Sequence, residues 1–136
     1  MINARIETVS QKDTFRHHLQ NRCIVPATAY MEWRKEGGRA FKNRISMANP
    51  DFFLMAALTS GSEFTILTCQ PSPTIAHIHD RMPLILPPAA ENDWLDPGIP
   101  FEVVKNSLSS YNISGLEFFE SVPPTARQGD LFDQSN

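Results

Sequence analysis

The sequence contains few of the residues that crosslink or anchor small proteins. Its 136 residues include only two cysteines, Cys23 and Cys69, and neither belongs to a C-x-x-C pair, which argues against a disulfide framework or a zinc ribbon. No apolar run approaches the ~20 residues that a membrane helix needs. The first residues, Met1 to Arg5, also lack the apolar stretch that begins a secretory signal. We therefore expect one globular domain in the reducing cytoplasm, without a membrane partner.

Glycine-rich phosphate loops, internal repeats and metal-ligand patterns are absent from the sequence as well. The six glycines do not form a phosphate-binding motif. His17, His18 and His77 stand at no metal-ligand spacing with an acidic partner. These absences argue against a nucleotide-loop enzyme or a metal hydrolase, and we predict neither a metal nor a cofactor.

The charge is unevenly distributed along the chain. The formal net charge is −3, but residues 1–45 hold nine of the twelve basic residues and only four acidic ones. The average charge argues against a general nucleic-acid binder, while this distribution permits one basic face. A solvated basic surface without any partner is the alternative interpretation.

Hydrophobic periodicity predicts an α+β fold. Residues 2–8 alternate with period two, which predicts a strand that carries Asn3, Arg5 and Glu7 on one face. Asp13 is a plausible N-cap for a short helix over 14–22. Further strands are predicted at 23–25, 29–33, 41–47, 52–58, 64–69, 83–86 and 116–122, and further helices begin at Pro87-Pro88 and at Phe101. In the strand over 29–33, Tyr30 and Glu32 are expected on one face and Met31 and Trp33 on the other, and Gly37-Gly38 is expected to form a turn.

These elements predict a mainly antiparallel, partly open barrel-like sheet with a few short helices. Residues 41–47 and 52–58 are expected to pair as a hairpin across Ala48 to Asp51. Trp33 and Trp94 are assigned to the core. The domain is predicted to cover residues 1–122, with a polar, acidic tail over 123–136.

The segment Ile78-His79-Asp80-Arg81-Met82-Pro83 is the most informative part of the sequence. It places an imidazole, a carboxylate and a guanidinium on consecutive residues and then restricts the backbone at Pro83. Such a set suits proton transfer beside a phosphate. The structural alternatives are a histidine that only satisfies local hydrogen bonds and an Asp80 that pairs with Arg81 or makes a turn contact.

Four strings of residues, in this order, resemble the SOS response-associated peptidase (SRAP) family, the abasic-site crosslinking proteins. The resemblance covers roughly residues 2–95. The strings are Ile2-Asn3-Ala4-Arg5-Ile6-Glu7-Thr8, then Arg22-Cys23-Ile24-Val25-Pro26-Ala27 running into Glu32-Trp33, then Phe53-Leu54-Met55-Ala56-Ala57-Leu58, and finally Ile78 to Leu86.

The resemblance implies a function on abasic sites in single-stranded DNA during the DNA-damage (SOS) response. Members of the family capture the aldehyde of the lesion with an N-terminal cysteine, whose α-amine forms an imine and whose thiol closes a thiazolidine. Matched by motif, Glu32 and His79 are the acid/base groups and Asn3 orients the nucleophile or the sugar. Arg5 and Arg81 are the expected phosphate contacts. Glu7 belongs either to this site or to an ion pair with Arg5.

The sequence departs from the family at its start. The family's reactive cysteine precedes the Asn-Ala-Arg string by a whole N-terminal portion, whereas here that string begins at Asn3. Cys23 and Cys69 carry acylated backbone nitrogens and cannot replace it. Three explanations stay open: a truncated or mis-started enzyme, a remnant that binds DNA without linking to it, and one half of a site completed by another chain.

Missing strands would leave an open sheet edge and apolar surface, so we expect association with a complementing N-terminal segment or a second copy, unless other elements cover the gap. The alternative function is a non-catalytic interaction module, in which Asn3, Glu32 and His79 form a structural polar network. Peptidase action on other proteins is a third option, although the sequence shows no independent pair of nucleophile and base. Whether the chain is an enzyme by itself is left open.

Overall fold

The computed structural model describes residues 2–109 and 113–122 as two β-sheets and two short α-helices. The helices are α1 (Glu91–Leu95) and α2 (Phe101–Leu108), and short 3-10 turns cover Val9–Gln11 and Pro88–Ala90. The strands are β1 (Ile2–Arg5), β2 (Arg22–Ala27), β3 (Ala29–Glu36), β4 (Arg39–Met47), β5 (Phe53–Ser60), β6 (Glu63–Cys69), β7 (Met82–Pro83) and β8 (Leu116–Glu120).

The strands form a mixed first sheet and an antiparallel second sheet. The first sheet has the order β1-β6-β5-β2, with β7 added to one end of β6. The β1–β6 pair is parallel and the other pairs of this sheet are antiparallel. The second sheet has the order β3-β4-β8. The prediction of a mainly antiparallel α+β fold is confirmed, and the sheets do not close into a barrel.

Two apolar cores lie on the two faces of the first sheet. The first core lies between this sheet and the helices, around the fully buried Trp94 and the side chains of Leu67 and Val104. The second core lies on the other face, where Ile66 of β6 and Met55 of β5 meet Ile45 of the second sheet. The second core therefore holds the two sheets together.

Arg22 and Trp94 attach α1 to the edge strand β2. The indole Nε1 of Trp94 donates to the carbonyl of Cys23 at 2.9 Å, and its ring lies edge-on to Phe101 at 6.2 Å between centroids. The buried guanidinium of Arg22 donates to the carbonyls of Trp94 and Ile99. Burial of this cation lowers the pKa of Arg22, but the group keeps its charge at neutral pH because an arginine guanidinium is not deprotonated in proteins.

The predicted helix over residues 14–22 is wrong. This segment forms consecutive turns, and Arg22 already begins β2. Only Phe15 and Leu19 offer apolar side chains, and both lie at the partly buried border of the first core. One thin apolar stripe cannot fix a helix whose stability depends on tertiary packing.

The predicted hairpin between residues 41–47 and 52–58 is also wrong. β4 pairs with β3 in one sheet, while β5 pairs with β2 and β6 in the other. Gly37 and Gly38 adopt positive φ angles of 57° and 76°, which suits a tight hairpin turn and joins β3 to β4. The chain from 48 to 52 therefore crosses between the sheets.

Other boundaries differ less. The first strand ends at Arg5 instead of residue 8, since a turn follows it. Trp94 is buried as predicted, but Trp33 is 48% exposed, so its assignment to the core is wrong. Trp33 lies on the outer face of β3, which no element covers in the described part of the chain.

The predicted tail over 123–136 lies outside the described residues. Within the described ranges, no helix is long and apolar enough to cross a membrane.

Candidate nucleic-acid interface

The strand β1 presents Asn3 and Arg5 side by side at the edge of the first sheet. Asn3 is in register with Ile66, and Arg5 is in register with Thr68. Both side chains are exposed, and they lie on the face that Ile66 shares with the second core because neighbours in register point to the same side. Asn3 and Arg5 therefore reach solvent beside the second core.

Arg81 and Arg5 both lie beside Thr68: Arg81 binds it, and Arg5 is in register with it on the neighbouring strand. The Arg81 Nη2 donates to the Thr68 carbonyl at 2.8 Å, and its Nε lies 3.3 Å from the Thr68 hydroxyl. The same Nη2 lies 2.7 and 3.1 Å from the two carboxylate oxygens of Glu7. The Arg81 side chain is only 12% exposed. Its guanidinium is thus already bound by the protein, and Glu7 pairs with Arg81 instead of Arg5.

The imidazole of His79 is held by the backbone of the same loop. The backbone N–H of Arg81 donates to His79 Nδ1 at 3.1 Å, and Asp80 Oδ1 lies 3.2 Å from the same nitrogen. Asp80 therefore contacts His79 and not Arg81. The Arg81 carbonyl also lies 3.3 Å from Nδ1, so all of these contacts of the ring are made at Nδ1. Among the described residues Nε2 has no hydrogen-bond partner, and the side chain is 42% exposed.

Glu32 approaches the second core from the other sheet. It shares one face of β3 with Tyr30, which packs against this core, while Met31 and Trp33 point to the opposite face. The backbone N–H of Trp33 donates to Glu32 Oε1 at 3.1 Å. The alternation predicted for this strand is therefore confirmed, and it leaves the partly buried Glu32 carboxylate facing the same core as Asn3 and Arg5.

Tyr30 is a member of this region that the sequence did not indicate. Its ring lies edge-on to Phe53, and its hydroxyl is buried without a hydrogen-bond partner in the described part of the chain. Burial raises the pKa of Tyr30 well above its usual value, and the charges of Glu32 and Cys69 raise it further. Tyr30 therefore lies within electrostatic reach of both side chains, one from each sheet. The sequence does not show whether the hydroxyl of a buried tyrosine such as Tyr30 finds a hydrogen-bond partner.

Neither cysteine has a reactive thiol in this fold. Burial raises the pKa of Cys69 to about 11, against the opposing effect of Arg81. Burial also raises the pKa of Cys23. Because the thiolate is the nucleophilic form, both groups are predominantly protonated and unreactive at neutral pH.

The five predicted site residues lie around the second core, but they are not all in contact. His79 and Arg81 contact each other, and Arg5 is joined to Arg81 through Thr68. Asn3, Glu32 and His79 form no hydrogen bond with one another among the described residues. Since none of these three is buried, the structural polar network expected for a pure interaction module is not formed. Thr68, which holds Arg81, is a second residue that the sequence did not indicate.

An ionic cluster lies next to Glu32 on the same face of the second sheet, because Asn43 is in register with both Glu32 and Glu120. Arg34 of β3 donates through Nε to Glu120 of β8 at 2.7 Å, and Asn43 of β4 donates to the same carboxylate at 3.0 Å. These hydrogen bonds lower the pKa of Glu120 to about 2. The cluster crosslinks the three strands of this sheet, so we assign it a structural role.

Comparison with known proteins gives consistent matches. The family model described as SOS response associated peptidase (SRAP) matches residues 1–121. The abasic site processing protein YoqW of Bacillus subtilis is 33% identical over 132 residues, which cover 88% of this chain and 59% of YoqW. YoaM of the same organism, also named an abasic site processing protein, is 30% identical over 152 residues, which cover all of this chain and 67% of YoaM.

Two solved structures have the same fold. A Bacteroides thetaiotaomicron protein superposes with a TM-score of 0.77 and 28% identity, over 92% of this chain and 60% of that one. A Bordetella bronchiseptica protein gives a TM-score of 0.73 and 29% identity, over 89% of this chain and 65% of that one. The chain thus spans about three fifths of the length of several proteins that it matches. The family model, the relatives and the fold agree, and the chain belongs to the SOS response associated peptidase (SRAP) family.

Proposed function

We propose that this chain binds single-stranded DNA at an abasic site as part of the DNA-damage (SOS) response. Membership of the SRAP family supports this function, as do relatives that are named abasic site processing proteins. The proposed binding surface is the solvent-exposed border of the second core, formed by Asn3, Arg5, Glu32, His79 and Arg81.

The residues of this border suit a sugar-phosphate with an aldehyde. Arg5 is exposed and makes no ion pair among the described residues, so it is available to a phosphate flanking the lesion. Asn3, two residues earlier on the same face of β1, is positioned to contact the sugar through its amide. This exposed pair beside Thr68 and Arg81 is the observation that carries the proposal.

His79 and Glu32 are proposed as the acid/base groups. Opening of the deoxyribose ring requires a proton on the ring oxygen and removal of the proton from the C1′ hydroxyl. The His79 side chain is exposed, its Nε2 has no hydrogen-bond partner within the described ranges, and its ring orientation is fixed by the Arg81 backbone. Glu32 approaches from the opposite sheet with a partly exposed carboxylate. The two groups therefore flank the proposed lesion from different sides.

Covalent capture is proposed to need a nucleophile from outside these 136 residues. A thiazolidine forms when a free α-amine adds to the aldehyde carbon, water leaves, and the thiol of the same residue adds across the resulting C=N bond. Cys23 and Cys69 have acylated backbone nitrogens and protonated thiols, so neither performs both steps. By itself the chain would bind the lesion without linking to it.

Fluorescence anisotropy with a single-stranded oligonucleotide that contains a stable tetrahydrofuran abasic analogue tests lesion binding. We expect tighter binding than to the undamaged strand, weaker binding at higher salt, and a loss of about tenfold in Arg5→Ala. Arg39→Ala is the matched control, since Arg39 is an exposed arginine at the β3–β4 turn. Equal affinities of the wild-type chain for both strands would contradict the proposal.

A denaturing gel with a true aldehyde abasic site tests the covalent part separately. We expect no shifted band with the chain alone, and a band when a peptide that begins with cysteine and corresponds to the relatives' preceding segment is added. His79→Ala and Glu32→Ala should then lower its yield. A band with the chain alone would show that one of its own groups is the nucleophile.

A further inference from the structure

The outer face of the second sheet is not covered by any described element. Alternation along the strands points Tyr30, Ile45 and Leu116 into the second core. The residues between them point outward and form what we call the outer face. Its members are Met31, Trp33 and Lys35 of β3, Ala40, Lys42, Arg44 and Ser46 of β4, and Glu117, Phe119 and the adjacent Ser121 at β8.

Basic and aromatic side chains alternate across this outer face. Arg44 stands in register between Met31 on one side and Phe119 on the other. Lys42 stands in register with Trp33 in the next row. Side chains in register on neighbouring strands have Cβ atoms about 4.5–5.5 Å apart, so each cation lies directly beside a large apolar or aromatic group.

The apolar side chains of the outer face are unusually exposed. Phe119 is 71% exposed, Met31 is 50% exposed, and Trp33 is exposed to a similar extent. Scattered exposed apolar residues are ordinary, but here Met31 and Trp33 of β3 and Phe119 of β8 form a patch on one face of the sheet, on either side of the central strand β4, which marks an interaction surface. The aromatic rings of this patch are thus available to a partner.

The charge of the outer face identifies the chemistry of that partner. Lys35, Lys42 and Arg44 form no ion pair among the described residues, and Glu117 is the single acidic residue of this face. A groove of about 460 Å³ beside β8, lined among others by Arg44 and Phe119, adds a concave border. Unpaired cations in the middle of an apolar patch fit a polyanion with flat apolar groups. They argue against a protein partner, because the centre of a protein–protein interface is depleted in lysine.

We propose that the outer face is a second contact surface for single-stranded nucleic acid, which stacks bases on Phe119 and Trp33 and sets phosphates against Arg44 and Lys42. This proposal rests on the proposed function, because it assigns the outer face to the strand that flanks the lesion. Aromatic platforms interleaved with basic residues bind single strands without regard to sequence. Trp33 follows Glu32 directly on the edge strand β3, so a strand that passes over this edge reaches both faces of the sheet.

Anisotropy measurements with two oligonucleotide lengths test this proposal. Both strands carry the tetrahydrofuran analogue, and they are about five and about twenty nucleotides long, near the lower limit and above the upper limit of the ~4–16 nucleotides that a single-strand platform covers. We expect the wild-type chain to bind the long strand more tightly. Phe119→Ala and Arg44→Ala should each weaken binding of the long strand about tenfold and leave the short strand unchanged. Phe119→Trp should restore the affinity, because it keeps a ring.

The controls separate this inference from the proposed function. Leu95→Ala removes a similarly exposed apolar side chain on α1 and should have no effect on either strand. Arg5→Ala should weaken both lengths and remove the preference for the lesion. If Arg5→Ala has no effect while Phe119→Ala still weakens an undamaged long strand, the proposed lesion site fails and the outer face stands.

Two results would overturn the outer-face proposal. In the first, Phe119→Ala and Arg44→Ala leave the affinity for the long strand unchanged. In the second, light scattering gives a mass of two chains that Phe119→Ala reduces to one, without any change in DNA binding. The second result would assign the outer face to an interface between copies of this chain.

Discussion

Both carboxylate oxygens of Glu7 accept from the same guanidinium nitrogen of Arg81, whose Nη2 lies 2.7 Å from Oε2 and 3.1 Å from Oε1. The residues are 74 positions apart in the sequence. This pair neutralises one of the two arginines that the motif assigns to phosphate binding. A phosphate that approaches Arg81 therefore has to compete with a carboxylate that is already in place, whereas no described carboxylate pairs with Arg5.

Replacement of Glu7 by glutamine should increase the affinity for single-stranded DNA. The substitution removes the competing charge and leaves Arg81 available, so the plot of log affinity against log salt should become steeper by about 0.7 for the additional phosphate contact. Anisotropy titrations over a range of salt concentrations measure this slope. Glu63→Gln, an equal change of charge at the exposed start of β6, is the control. An unchanged slope would mean that Arg81 has a purely structural role.

The two tryptophans should respond oppositely to truncation. Trp94→Ala is expected to lower the free energy of unfolding by about 3–5 kcal/mol, because it empties the centre of the first core and removes the hydrogen bond to Cys23. Trp33→Ala should change it by no more than about 0.5 kcal/mol, since that ring lies on the outer face. Urea denaturation measures both. Equal losses would contradict the positions of these side chains.

Removal of the Tyr30 hydroxyl should stabilise the protein. This buried oxygen has no hydrogen-bond partner among residues 2–109 and 113–122, so Tyr30→Phe eliminates an uncompensated desolvation cost and should raise the free energy of unfolding by about 1 kcal/mol. Tyr30→Leu, which also removes the edge-on contact with Phe53, should lower it. Both changes are read from urea denaturation midpoints. A destabilised Tyr30→Phe variant would reveal a hidden hydrogen-bond partner of the hydroxyl.

Acid should weaken the second sheet through Glu120. The folded protein holds the pKa of this carboxyl at about 2, below the value of about 4.5 expected for the unfolded chain. The unfolded chain therefore binds more protons between these values, and the contribution of Glu120 to stability is present above pH ~4.5 and is lost as the pH falls toward ~2. The urea midpoint of unfolding should decrease as the pH is lowered across this interval, and the decrease should be smaller in Glu120→Gln than in the wild-type protein. Parallel curves would contradict the assigned role of the Arg34–Glu120 pair.

The two thiols should be slow to alkylate in the folded protein. Burial raises the pKa of Cys69 to about 11 and that of Cys23 above its ordinary value, so little thiolate exists at neutral pH. Mass spectrometry after treatment with iodoacetamide should show slow modification in buffer and rapid modification in urea. Rapid alkylation of either cysteine in the folded protein would make it a candidate nucleophile.

Local features of the fold were predictable because they depend on neighbouring residues. Period-two alternation placed Glu32 with Tyr30 and opposite Trp33, and the Gly37-Gly38 pair marked the hairpin turn. The helix predicted to begin at Phe101, after Pro97-Gly98, is α2. Each of these signals extends over only a few residues, which is the range over which periodicity and turn propensity act.

Strand pairing was less predictable. Residues 41–47 and 52–58 were expected to pair because they are close in sequence, yet β4 and β5 joined different sheets. Alternation shows which residues share a face, but it does not identify the partner strand, which is selected by the fit of whole faces around a core. For the same reason the exposure of Trp33 could not be read from its residue type.

The sequence by itself determined the family, the residue types of the proposed site and the local course of most strands, since motif order and short-range patterns require no knowledge of the fold. Only the tertiary structure decided that Glu7 binds Arg81, that Thr68 links Arg81 to Arg5, and that Glu32 faces them from a second sheet. These relationships join residues that are far apart in the chain. They form only when burial of two apolar cores fixes the sheets relative to each other, and no local pattern records that outcome.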